Sequence, residues 1–275
     1  RWAPARTLVS APNNTEVVHV SRAVPTILYT ADREEVLELM GKENSDIISV
    51  ADENKKILGI IHMNDLLRIA RVEASEDLYR MGAVGHIDAS YLDSKFFTIW
   101  KKRAGWLSIL FVAELFTFTA LSRFESSIAA VTALALFVPL AISTGGNSGS
   151  QAATIITRAM ALGHITIRDW WRVFRHEFFM GIALGLSLGV IGFIRASLTP
   201  QHILGSANRL LIGLVIGLSV AGICLWGTIV GSMLPIVFKK LGVDPAYASS
   251  PFVATFVDVT GIIIYFSIAN VFILH

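Results

Sequence analysis

Two stretches of the 275-residue sequence put hard oxygen ligands where oily residues would be expected. Asp258 lies in Phe252-Val-Ala-Thr-Phe-Val-Asp258-Val-Thr-Gly-Ile-Ile-Ile-Tyr265, seven residues past Pro251. That is roughly 10 Å along a helix at about 1.5 Å per residue. An ionised carboxylate there is costly unless it faces water, an ion or a partner. Ala254, Thr255 and Gly261 share its helical spacing, so the face is small and polar, suited to a lining or a close helix contact. The second stretch is Pro139-Leu-Ala-Ile-Ser-Thr-Gly145-Gly146-Asn147-Ser-Gly149-Ser-Gln151. Proline removes a donor and glycines permit non-helical backbone, which predicts carbonyls exposed at membrane depth. A glycine-rich helix-packing seam is the competing reading. Carbonyls and a carboxylate suit Mg²⁺ or Ca²⁺, and neither stretch holds the sulfur or imidazole that a soft metal prefers.

Other polar residues are less informative. Glu114 is the second acid inside an apolar run, where a structural hydrogen bond is as good an account as a pore role. Arg175 and Glu177 read as a headgroup-level pair, and Trp170 and Trp171 as interface anchors. His164, His176 and His202 have no second ligand at i+3 or i+4, and the single cysteine, Cys224, reads as a small core residue. No paired intramembrane aspartates, His-Glu-x-x-His or Walker loop occurs, which argues against an enzyme and against transport driven by ATP hydrolysis.

The elements that must position these groups follow from composition. Hydrophobic residues make up 53% and charged residues 16%. The charges are uneven, about 28% of residues 1–103 against about 9% of the rest. A polar module therefore precedes a membrane domain. Five apolar runs are long enough to cross a bilayer: about 104–122, 127–160, 174–195, 208–238 and 251–274. Lys101, Lys102, Arg103, Arg168, Arg172, Arg175, Lys239 and Lys240 fall on one side and Arg123, Arg195 and Arg209 on the other. The positive-inside rule then puts the N-terminal module in the cytoplasm and the C-terminus outside it. The net charge of +2 and the lack of any long basic run argue against nucleic acid.

Residues 1–79 read as a small α/β module. Its strands are expected at Val17–Val20, Thr26–Tyr29, Ile47–Val50 and Ile57–His62, with a turn at Asp52-Glu53-Asn54-Lys55. One helix opens at Asp32 with Glu35 in a capping-box pattern, another spans about Asn64 to Val72, and a polar helix follows over Glu73-Ala-Ser-Glu-Asp-Leu-Tyr-Arg80. A linker and an amphipathic helix, about Ala89 to Lys102, fill residues 80–103, either as a gate or as an interfacial anchor. No charged leader, apolar core and cleavage site opens the chain, and its first residue is Arg1, so it reads as a piece of something longer.

Thr144-Gly-Gly-Asn-Ser-Gly-Ser-Gln151, the Arg168-Asp-Trp loop, Leu241-Gly-Val-Asp-Pro-Ala and Ser250-Pro-Phe-Val-Ala-Thr-Phe-Val-Asp-Val-Thr-Gly261 resemble the MgtE family of magnesium transporters and channels. The likeness covers nearly the whole chain, with a second CBS motif at 1–79, a plug helix and a five-helix pore domain at 104–275. It implies a homodimer in a cell membrane whose pore runs between protomers, with Asp258 of each chain facing its twin across hydrated Mg²⁺. By position Gly146, Ala254, Thr154, Ser150 and Asn147 match residues around the ion path, although many members carry Asn where Ser150 stands. The resemblance further implies closure by cytosolic Mg²⁺ at acidic sites matching Asp65, Glu73, Glu76, Asp77 and Asp244. In Gly59-Ile-Ile-His62-Met-Asn-Asp65, His62 replaces the hydroxyl of nucleotide-binding CBS motifs, which counts against an adenine nucleotide here. The family's acidic N-terminal domain and first CBS motif are not in this sequence.

The expected function is a Mg²⁺-selective, channel-like transporter gated by cytosolic Mg²⁺. A Na⁺- or H⁺-coupled Mg²⁺ exchanger and a non-conducting, membrane-anchored CBS sensor are the alternatives.

Overall fold

The structure, a computed structural model, describes residues 1–43, 45–87, 90–130, 132–205 and 207–273. In the N-terminal part the elements are α1 (Ala5–Ser10), α2 (Val17–Val20), β1 (Thr26–Leu28), α3 (Arg33–Glu43), β2 (Ile47–Ala51), β3 (Ile57–His62) and α4 (Met63–Met81). There follow α5 (Phe96–Ser122), α6 (Glu125–Ala130), α7 (Thr132–Ala161), α8 (Trp170–Ser197), α9 (Gln201–Leu204), α10 (Arg209–Lys240) and α11 (Ser250–Phe272). Short 3-10 turns lie at Ile167–Asp169 and Pro245–Tyr247. The chain divides into two compact units, Arg1–Asp77 and Leu78 onward.

In the first unit β2 is the central strand, parallel to β1 and antiparallel to β3. A strand flanked on both edges and covered by a helix needs an apolar run, and Ile47, Ile48 and Ala51 are buried. Val36 and Met40, one turn apart on α3, close over Ile48. The expected turn after β2 forms: Asp52 Oδ1 accepts from the N–H groups of Asn54 at 2.9 Å and Lys56 at 2.8 Å. Two expectations fail. Val17–Val20 is a helical turn rather than a strand, because the local bond from His19 N to Glu16 O, 2.9 Å, satisfies a backbone that no strand pairs among the described residues. The second helix does not stop at Val72 but runs on into the polar helix expected from Glu73, the two forming one element. No glycine or proline interrupts Glu73-Ala-Ser-Glu-Asp-Leu-Tyr-Arg, so good helix formers carry α4 to Met81, next to Gly82.

In the second unit, four stretches are long and apolar enough to cross a membrane among the described residues: Phe96–Ser122, Ile167–Ser197, Arg209–Lys240 and Ser250–Phe272. The first begins well before 104. The amphipathic residues from Phe96 to Lys102 are its opening turns, and Ala89, where that segment was expected to begin, lies outside the described residues, as does Leu274 at the expected end of the last run. The expected run 127–160 is α6 followed by α7, with Val131 between them outside the described residues. At 30 residues α7 is about 45 Å long, enough to span; its first turns are apolar, and Ser143, Thr144, Asn147, Ser148, Ser150 and Gln151 gather its polar groups near its middle.

The backbone of α7 does not unwind at its glycines, contrary to the expectation of exposed carbonyls; the helix is continuous through Pro139 and Gly149. Close packing is the reason. A Cβ on Gly227 of α10 would lie 2.2 Å from the carbonyl oxygen of Gly145, and one on Gly231 would lie 2.0 Å from that of Gly149. Backbone thus meets backbone along Gly145/Gly149 and Gly227/Gly231, the small-residue contact of membrane helices. On the same helix α10, Gly217 meets Gly189 of α8 in the same way, with the would-be Cβ 2.9 Å from the Gly189 carbonyl oxygen. Side chains then fix register. Tyr265 OH of α11 donates to Leu134 O of α7 at 2.8 Å, and Trp226 Nε1 of α10 donates to Thr260 Oγ1 of α11 at 2.8 Å.

Gly231→Ala should therefore force α7 and α10 apart, costing about 3 kcal/mol, or roughly 10 °C in Tm for a domain of this size. Gly222→Ala, whose Cβ would meet its nearest neighbour at an ordinary 3.7 Å, should leave Tm within about 2 °C of the parent. Thermal unfolding of both variants in detergent checks the pair; equal Tm values would refute the seam.

Candidate functional site

Three helices of the second unit enclose a cleft of about 490 Å³. From α7 it takes Pro139, Ser143, Gly146, Asn147 and Ser150; from α11 it takes Ser250, Pro251, Ala254 and Asp258; α5 adds Glu114 and Thr117. The face of α7 that carries Gly146 and Ser150 adjoins the Gly145/Gly149 face packed on α10, so the seam decides where the cleft wall stands.

Asp258 is half-buried in this cleft. A Cβ on Gly146 would sit 3.6 Å from Asp258 Oδ1 and 3.5 Å from Ala254 Cβ, so the bare glycine lets the carboxylate lie against the α7 backbone. At the other end Ser150 Oγ donates to Ser250 O at 3.1 Å, tying α7 to the first turn of α11. That turn is itself set by Ser249, whose Oγ accepts from Phe252 N at 3.3 Å, and by Pro251, which has no N–H to leave unsatisfied. Thr117 Oγ1 donates to Glu114 Oε1 at 3.1 Å, turning one carboxylate oxygen to a local hydroxyl.

Of the residues expected around the ion path, Asp258, Ala254, Gly146, Ser150 and Asn147 come together in the cleft. Thr154 stands one turn farther along α7, exposed, its hydroxyl donating to Ser150 O at 2.8 Å, and does not line it. Glu114, weighed and set aside in the sequence, does line it. Its signal was a second acid within an apolar span, the same signal that drew attention to Asp258.

Every polar atom that the side chains bring to this cleft is a carboxylate, hydroxyl or amide group, with no imidazole or thiol. Such a lining suits a hard cation. Among the described residues no group of three or more His, Cys, Asp or Glu side chains is gathered closely enough to cage a metal.

The acidic residues expected to regulate divide between the two units. Asp65, Glu73, Glu76 and Asp77 all stand on α4 in the first. Asp65 Oδ2 accepts from His62 N at 3.3 Å, Glu73 is buried, and Glu76 and Asp77 follow it at i+3 and i+4. Asp244 belongs to the second unit. Its Oδ1 accepts from Ala246 N at 2.8 Å, capping the turn before α11, and its Oδ2 pairs with the Arg80 guanidinium. Arg80 also lies over the Tyr247 ring, 5.4 Å from its centroid, and Tyr247 packs on Trp106.

Comparison with known proteins gives this arrangement a family. Residues 138–268, from Val138 of α7 to the last turns of α11, match the model of the MgtE divalent cation transporter domain, and residues 16–71 match that of the CBS domain. The "Magnesium transporter MgtE" of Thermus thermophilus is 38% identical over 268 residues, 96% of this chain and 57% of that protein. Proteins of the same name from Bacillus subtilis and Enterococcus faecalis are 31% and 29% identical over 246 and 241 residues, each alignment covering 88% of this chain and 52% and 51% of those proteins. The chain spans about half the length of the curated relatives it matches. With a CBS domain followed by a helical membrane domain of this sequence, the chain belongs to the MgtE family of divalent cation transporters.

Proposed function

We propose that the chain is the second CBS module, linker and pore of a Mg²⁺-selective, channel-like transporter that works as a homodimer in the cell membrane. The observation that carries this reading is the oxygen-lined cleft with Asp258 set against Gly146. The names of the relatives support the choice of Mg²⁺ among hard cations. In this reading α7 is the fifth spanning helix, the N-terminal module and linker are cytoplasmic, and the C-terminus is extracytoplasmic.

The physics of the ion fits. Mg²⁺ loses its waters reluctantly, so a site that offers few carboxylates and several neutral oxygens holds the hydrated ion through its first shell without stripping it. Two copies of Asp258, one from each protomer, supply the charge that a single chain lacks. Asn147, Ser150 and Thr154 offer neutral oxygens along the same side of α7. A negative-inside potential supplies about 2.3 kcal/mol per elementary charge per 100 mV, hence about 4.6 for a divalent ion, which drives uptake without a coupled ion or ATP. The transporter is not an enzyme.

Gating follows from charge. Asp65, Glu73, Glu76 and Asp77 on α4, together with Asp244, carry like charges that repel when drawn together. Cytosolic Mg²⁺ relieves that repulsion and favours the closed arrangement by its higher affinity for it.

In liposomes under a negative-inside potential and no other ion gradient, the purified chain should admit Mg²⁺. Asp258→Ala should cut that flux by roughly 100-fold, the equivalent of losing about 3 kcal/mol of charge-assisted contact. Flux that persists in Asp258→Ala, or that requires a Na⁺ or H⁺ gradient in the parent, would refute the uncoupled pore. Raising Mg²⁺ on the side of the N-terminal module should suppress parental flux, whereas Glu73→Gln with Asp77→Asn should keep it within about two-fold of the low-Mg²⁺ value, because neutral side chains no longer need the ion. Equal suppression in both proteins would remove these residues from the gate.

A further inference from the structure

The outward face of α8 carries chemistry for which ion passage has no use. Gly181, Gly185 and Gly189 turn one side of α8 into α10. On another side Arg172, Arg175, His176, Phe179, Met180 and Ala183 recur at i, i+3, i+4, i+7, i+8 and i+11, which is one helical stripe, and all six are exposed. They line a shallow groove of about 400 Å³. Over roughly 16 Å of helix the groove passes from two guanidinium groups to purely apolar side chains. Exposed Trp170 and Trp171 flank its charged end, and Trp171 stacks on Phe174 with centroids 5.4 Å apart.

The nearby acids neutralise little of that charge. Asp169 is 3.9 Å from Arg172 and is committed to Thr166, whose N–H and hydroxyl it accepts at 3.0 and 2.8 Å. Glu177 lies 3.4 Å from His176 Nδ1. Arg175 has no carboxylate at ion-pair distance among the described residues.

We infer that this groove is a binding site for an anionic phospholipid. The arginine forks match the geometry of a phosphate and hold it bidentately. Phe179, Met180 and Ala183 take the first acyl segment, and the tryptophans fix the depth of the site at the headgroup level. Charge complementarity and the cationic-to-apolar gradient along a single membrane helix select a lipid, which has both ends, over a bare anion, which has only one. The site lies on α8, whereas the cleft is built from α5, α7 and α11, so it does not depend on the identity of the transported ion.

Titration of the purified chain in detergent with phosphatidylglycerol and with phosphatidylcholine, read by native mass spectrometry and by Tm, tests the site. Phosphatidylglycerol should bind preferentially and raise Tm. Arg172→Gln with Arg175→Gln should weaken phosphatidylglycerol binding by roughly 30-fold, about 1 kcal/mol per arginine, with Tm in phosphatidylcholine unchanged. Should the double variant fail to fold, each single variant carries the test, with a loss of about five-fold expected. Undiminished phosphatidylglycerol binding in the variants would overturn the proposal. So would an equal Tm rise from inorganic phosphate, which would indicate a bare anion site, or efficient lipid-free cross-linking between copies through Ala183→Cys, which would assign the face to self-association.

Discussion

The contact between the backbones of α7 and α10 is the constraint on which the second unit depends. Between membrane helices the hydrophobic effect gives no preference for protein over lipid, so association rests on packing and on a few hydrogen bonds. At Gly145/Gly227 and Gly149/Gly231 there is no room for even a methyl group, and the two helices approach as closely as backbones allow. That approach buries Ser148 and Thr228 against each other, with Thr228 Oγ1 donating to Cys224 O at 2.9 Å, so the polar atoms trapped in the seam are satisfied within it. It also keeps continuous a helix that carries a proline and three glycines.

What this rigidity provides is a wall. Gly146 and Ser150 sit a third of a turn around α7 from the seam residues, so fixing the seam fixes the side of the cleft against which Asp258 lies. From the other direction, Ser150 and Tyr265 tie α11 to α7 at widely separated levels. A carboxylate in an apolar helix is tolerated because these contacts place it at an opening instead of in lipid or in a sealed core.

Much of this was legible in the sequence, though not for one uniform reason. Asp258 stands out because a charge inside an apolar run is expensive, a cost that does not depend on knowing the fold, whereas Gly146, Asn147 and Ser150 are placed by the family likeness and by the proline and glycines of their stretch. The state of the glycine-rich stretch was not legible, because the same glycines permit both an unwound strand of carbonyls and a tight helix contact. What decides is the partner. Gly227 and Gly231 stand at the same i, i+4 spacing as Gly145 and Gly149, and Gly181, Gly185 and Gly189 repeat it on α8; matching those spacings between runs would have favoured the seam. Val17–Val20 misled for a related reason: β-branched residues favour a strand only where a sheet edge is there to receive them. That Glu114 faces the cleft is not legible in the sequence, because facing direction within a span is set by packing, which hydropathy does not encode.

The polarity of α7 carries the argument one step further. A helix with this many hydroxyl and amide groups is poorly suited to contact lipid, and within one chain it is covered by α10 and α11 while its cleft face stays open. In a bilayer an open polar face must meet water or another protein surface. Ser148 is accordingly turned into the seam with α10, and Ser143, Asn147 and Ser150 onto the open cleft, so the polar groups of α7 stand where solvation asks for them.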